Sequence, residues 1–129
     1  LDLDHFKHIN DRHGHAVGDW VLQQVAVAIQ AACREGDVCG RLGGEEFAIL
    51  LPDTPLHTAT EIAERLRALI AKLNVNVEHP VTASIGLAFA TAPTSELGAL
   101  LSSADKAMYH AKASGRNRVM VVDQMHAAV

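Results

Sequence analysis

The chain has 129 residues, 49% of them hydrophobic and 20% charged, which suits one soluble domain large enough to bury a core. A formal charge of −4 and 4% aromatic residues argue against nucleic acid or an anionic membrane surface as a partner. No apolar run is long enough to span a bilayer, no signal peptide is visible, and Cys33 and Cys39 lack metal or redox spacing, so a cytoplasmic protein with two small core thiols is expected.

Leu1-Asp2-Leu3-Asp4 alternates apolar and acidic residues, which reads as the end of a strand with both carboxylates on one face. The start of that strand is expected to lie outside this sequence. From His5 to His13, Phe6 and Ile9, and Lys7 and Asn10, recur at helical spacing up to Gly14, with Asp4 placed to cap the helix. Asp2 has no such structural duty. His5, His8, His13 and His15 wind around that short helix into a turn, so they read as surface or structural residues rather than zinc ligands.

Ala16 to Ala32 gives the strongest helical pattern, through Val17, Trp20, Val21, Val25, Ala28, Ile29 and Ala32. Asp19 near its start either complements the helix dipole or, with Asn10, reads the edge of a guanine. Arg34-Glu35-Gly36-Asp37 is a turn. Gly43-Gly44 then lies between the apolar runs Val38–Leu42 and Phe47–Leu51, which predicts a tight β-hairpin centred on the two glycines. Glu45 and Glu46 follow at its mouth, where bare backbone and two carboxylates suit a hard cation carrying a phosphate.

Pro52 to Pro55 ends the hairpin and begins a helix through Ile62, Leu66, Leu69 and Ile70. Residues 74–77 form a loop or a short strand. Val81 to Phe89 alternates with period two and predicts a strand, in which Gly86 marks a bend or a close contact. A helix from about Ser95 runs through Leu97, Leu100, Leu101, Ala104, Met108 and Ala111, and Gly115 is available to cap its C-terminus. A last strand covers 119–122. The order β-α-α-β-β-α-β-α-β predicts an α+β domain with a mainly antiparallel sheet flanked by helices.

If the first strand pairs with the hairpin, Asp2, the Leu3 carbonyl and Glu45 converge, and oxygen-only ligands select Mg²⁺ or Mn²⁺. Lys112 and Arg116 at the end of the last helix either complement its dipole or reach a triphosphate. There is no Gly-x-x-x-x-Gly-Lys loop and no nucleophile elbow.

The segments Asp2–Asp11, Gly14-His15, Gly18-Asp19, Gly43–Phe47 and Lys112–Asn117 together closely resemble the GGDEF family of diguanylate cyclases, in family order and spacing from Asp2 to about Val122. The resemblance implies a nucleotidyl-cyclase palm-like fold with a ferredoxin-like core, and condensation of two GTP into cyclic di-GMP and pyrophosphate. It implies two Mg²⁺ ions (or Mn²⁺) per half-site on Asp2, the Leu3 carbonyl and Glu45, with Glu46 assisting deprotonation of the attacking 3′-hydroxyl. Asn10 and Asp19 match guanine-reading positions and Leu22 the pocket wall. Gly43, Gly44, Lys7, Lys112 and Arg116 match phosphate-contacting positions. Arg34 and Asp37 match the Arg-x-x-Asp product-inhibition motif, with Arg65 as an auxiliary arginine. Glu45 in place of the eponymous Asp is a common family variant.

The same resemblance implies a single domain over 1–129 that lacks the family's N-terminal helix and the Asp-x-Leu-Thr segment, and a sensory or receiver domain preceding it. The expected partners are GTP, cyclic di-GMP and a second copy of the domain. The alternative is a GTP or cyclic di-GMP binding module that signals without catalysis. A degraded hairpin motif marks that class, whereas Gly43–Phe47 is intact here.

Overall fold

Leu3 is fully buried and Leu1 packs against the same core, which turns Asp2 and Asp4 to the other face of the first strand. The computed structural model describes residues 1–75, 77–90 and 96–122. Its elements are β1 (Asp2–Leu3), α1 (Phe6–His13), α2 (His15–Ala32), β2 (Val38–Gly43), β3 (Glu46–Leu50), α3 (Leu56–Ala71), β4 (Ala83–Leu87), α4 (Leu97–Ala113) and β5 (Arg118–Val121). This is the order the hydrophobic periods predict. The expected α4 start at Ser95 lies outside the described residues, as does Asn76 in the ambiguous 74–77 stretch.

The five strands form one sheet in the order β2-β3-β1-β4-β5, antiparallel except for the parallel β4–β5 pair that α4 crosses over to connect. The shortest strand is therefore the central one. The main core cluster joins Leu3, Phe6 and Ile9 to Val21, Val25 and Ile29 of α2, Phe47 of β3, and Leu66 and Ile70 of α3. Val75, inside the undecided 74–77 stretch, and Val81 beyond it also belong to that core.

Trp20 departs from its expected place and is 40% exposed. The buried stripe of α2 runs instead through Gly18, Val21, Leu22, Val25, Ala28, Ile29 and Ala32, and Trp20 lies beside it. Gly86 is a close contact rather than a bend. A Cβ there would collide with the Ala104 carbonyl and the Met108 amide, so α4 rests on β4 at backbone distance. At its far end α4 closes with a Schellman motif: the Arg116 N–H donates to the Ala111 carbonyl (2.9 Å) and the Gly115 N–H to the Lys112 carbonyl (3.4 Å).

Candidate active site

β1 does pair with the hairpin. Asp2 stands opposite Glu46 in the antiparallel register, and the Leu3 N–H donates to the Glu45 carbonyl at 3.3 Å. This brings the backbones of Asp2, Leu3, Glu45 and Glu46 together where the central strand meets the hairpin turn. The turn is shifted by one residue from its expected position. Gly43 pairs with Glu46, a bulge falls between Arg41 and Gly43, and Gly44-Glu45 form the tip. Gly43 has φ 152° and Gly44 φ 50°, both on the side that glycine tolerates. The Arg41 Nε donates to the Gly44 carbonyl at 2.7 Å and braces the tip. Burial, then the neighbouring Asp2 and Asp105 carboxylates, pushes the Glu46 carboxyl above its ordinary value.

Asp4 is not a helix cap. The cap position of α1 is His5, in the left-handed region with φ 55°, and no side chain closes the helix there. The Asp4 carboxylate instead accepts from Ser84 Oγ (2.6 Å), Thr82 Oγ1 (2.7 Å), the Asn117 N–H (3.0 Å) and Lys112 Nζ (3.1 Å). Burial alone would raise its pKa, but these four donors together hold it below the usual carboxylate range. Lys112 Nζ also lies 2.9 Å from Asp2 Oδ1, so one ammonium bridges both aspartates. Lys112 and His110 do occupy the last turn of α4, where a cation complements the dipole, but the bridge to β1 is the more specific contact.

Asp19 is the fifth residue of α2, beyond its first turn, so complementing the helix dipole is not its role. It is exposed and lines an open groove of about 450 Å³ between α2 and the hairpin, together with buried Leu22 and with Gln23, Cys39, Arg41 and Phe47. Asn10 is not among the residues lining that groove. Its amide oxygen occupies the volume a Cβ on Gly18 would need, so this glycine of α2, next to Asp19 in the chain, is what lets α1 hold Asn10 against α2. Lys7 is exposed on α1 and Arg116 is exposed with φ 64° just past α4. Neither has a side-chain partner among the acidic residues of the site.

Arg34 and Asp37 come together as the motif suggests. The Arg34 Nε and a terminal amine each donate to one Asp37 oxygen at 3.2 Å, and the guanidinium also reaches Thr54 Oγ1. The Arg34 hydrogen bond holds the Asp37 carboxyl below its usual value. Arg65 is exposed on α3.

Among the described residues no three His, Cys, Asp or Glu side chains converge on one point. The donors at hand are two carboxylates and a backbone carbonyl, hard oxygens that suit Mg²⁺, an ion that commonly takes one or two protein carboxylates and fills its shell with phosphates and water. Lys112 shows independently that Asp2 faces a position fit for a cation. Sequence reasoning missed Arg41, Thr82 and Ser84, and it quoted Gly18 without giving it a role. The alternating Thr82 and Ser84 hydroxyls on a predicted strand were the one available signal for an acidic partner.

The site thus lies where the central strand of a mostly antiparallel sheet meets the Gly43-Gly44 hairpin turn, with Asp2 opposite Glu46. The profile described as "Diguanylate cyclase, GGDEF domain" matches residues 1–118, and the chain belongs to that family. It is 45% identical over 120 residues to diguanylate cyclase DgcM of Escherichia coli (strain K12), covering 93% of this chain and 29% of that protein's length. It is similar to the active GGEEF domain of a diguanylate cyclase from Vibrio cholerae (TM-score 0.85, 35% identity, 94% of this chain and 78% of that one). It is equally similar to the GGDEF domain of DgcB from Caulobacter crescentus in complex with c-di-GMP (TM-score 0.86, 33% identity, 95% and 74%).

Proposed function

We propose that this domain condenses two GTP molecules into cyclic di-GMP and two pyrophosphates, acting in the cytoplasm as a symmetric pair of domains. The observation that carries this reading is the β1–β3 pairing, which sets Asp2 opposite Glu46 and the Leu3 amide against Glu45 beside the Gly43-Gly44 tip. Asp2, the Leu3 carbonyl and Glu45 would hold the divalent ions, which when bound would supply positive charge against the triphosphate and the 3′-oxygen.

The chain's own groups do the rest. Asp19 and Asn10 read the guanine edge against Leu22, and the glycine tip lets the backbone lie along the phosphates. Lys7, Lys112 and Arg116 take phosphate oxygens. Glu46 accepts the proton of the 3′-hydroxyl, whose oxygen attacks the α-phosphorus of the other nucleotide as pyrophosphate leaves. The same step repeated across the twofold axis closes the ring. Each domain offers one guanine wall and one acidic edge, so two copies face to face supply both reactants.

Cyclic di-GMP binds at Arg34 and Asp37, with Arg65 as auxiliary, and restrains turnover. The Arg34 fork is ordered on Asp37 and 42% exposed, a ready platform for a phosphate or a guanine. Calorimetry with cyclic di-GMP should lose this binding in Arg34→Ala.

The primary test is chromatography of cyclic di-GMP and pyrophosphate formed from GTP and Mg²⁺. Product that disappears in Glu45→Gln supports the reading. Binding of GTP without turnover in the unaltered protein would instead make this a nucleotide-sensing module.

A further inference from the structure

We propose that Lys112 is the resident cation of the acidic edge. It competes for Asp2 with any divalent ion, and it yields that carboxylate only to an ion that arrives together with a phosphate.

Three observations carry this. Lys112 Nζ contacts Asp2 Oδ1 at 2.9 Å and Asp4 Oδ1 at 3.1 Å, so a single positive charge serves two carboxylates. Both aspartates are buried, and Asp4 is saturated by Ser84, Thr82 and the Asn117 N–H besides Lys112. Asp2 has no such retinue: Lys112 is its one cationic contact among the described residues. Lys112 is 21% exposed, which leaves its ammonium room to move on the tether of Asp4.

The consequence is a binding order. A divalent ion without nucleotide must displace Lys112 from Asp2 and place a like charge beside it, in a partly desolvated setting where such repulsion is strong. An ion carrying a triphosphate brings its own counter-charge, and the displaced ammonium can turn from Asp2 to a phosphate oxygen while keeping Asp4. Lys112 thereby couples metal occupancy to nucleotide occupancy.

The inference rests on Asp2 being a metal ligand, and the test separates the two claims. The free Mn²⁺ remaining in a titration of nucleotide-free protein is read by electron paramagnetic resonance. Lys112→Met, and Lys112→Gln in case the first variant folds poorly, should tighten Mn²⁺ binding on the order of tenfold or more. The same variants should weaken binding of a non-hydrolysable GTP analogue with Mn²⁺. Unchanged Mn²⁺ affinity in both folded variants overturns the role of Lys112, provided that Asp2→Asn lowers it. Mn²⁺ affinity indifferent to Asp2→Asn in the Lys112→Met background overturns the metal assignment and this inference with it.

Discussion

Asp2 and Asp4 are separated by one residue and share a face, yet their partners give them opposite tasks. Asp4 is enclosed by four donors, Ser84 of β4, Thr82 just before it, Lys112 of α4 and Asn117 of the α4–β5 connection, so it is a structural clasp. Asp4→Ala should cost roughly 3 kcal/mol or more in urea denaturation, because it strands buried donors and half-orphans Lys112. Its lowered pKa also fixes a sign. The clasp contributes in full above the ordinary carboxylate pKa and is lost as pH falls through the depressed native value. Stability of the unaltered domain should therefore drop more steeply in acid than that of Asp4→Asn.

Glu46 runs the other way. Its native pKa is raised by burial and by Asp2 and Asp105, so the native state holds this proton longer, and stability declines as pH rises through that window. In the proposed role of proton acceptor it would be competent only above the raised value. Glu46→Gln should lower kcat on the order of a hundredfold and remove the acidic limb of the pH–rate profile. An unchanged limb would assign it to another group.

At the scale of elements, two glycines perform different duties. Gly86 separates β4 from α4, and a methyl there meets backbone atoms that cannot step aside. Gly86→Ala should cost about 1–3 kcal/mol of overpacking, seen as a lowered denaturation midpoint. Gly18 instead faces the far end of the Asn10 side chain, which can swing away. Gly18→Ala should leave the fold nearly as stable while raising KM for GTP, since Asn10 is pushed off the guanine edge. Equal KM values with and without that methyl would remove Asn10 from recognition.

The elements were largely legible because each carries its own period: two in 83–87, and three to four in α2 and α3. What escaped was what neighbours what. Asp4 looked like a cap from its position before Phe6, and only the docking of β4 against β1 reveals Thr82 and Ser84 as its partners. The Gly43-Gly44 pair announced a hairpin, but the bulge after Arg41 moved the tip by one residue. Arg34 and Asp37 were readable as a pair because their contact is local. The groove wall of Asp19 and Leu22 needed the hairpin folded over α2.

For the whole molecule, the one-sidedness of the site makes concentration the informative variable. If two domains must meet, the initial rate at saturating GTP should rise with the square of protein concentration while the domains are mostly apart. A mixture of Glu45→Ala and Asp19→Ala domains should stay below full activity, since every mixed pair keeps a damaged half. A first-order rate from a demonstrated monomer would sink the face-to-face scheme.

The Asp4 clasp also has a history within each folding event. Its partners lie 78 to 113 residues further along the chain, so the carboxylate emerges early in synthesis and waits for nearly the whole domain before it can be satisfied. Contacts of such separation close late, after local helices and the hairpin have formed. Trp20, the sole tryptophan, sits on α2 and reports the early, local event. In stopped-flow refolding its fluorescence should settle before a labelled GTP analogue can bind. The Asp4 clasp thus makes β1, α4 and the turn before β5 depend on one another, so the region around the first strand should be the last to become rigid in a refolding chain.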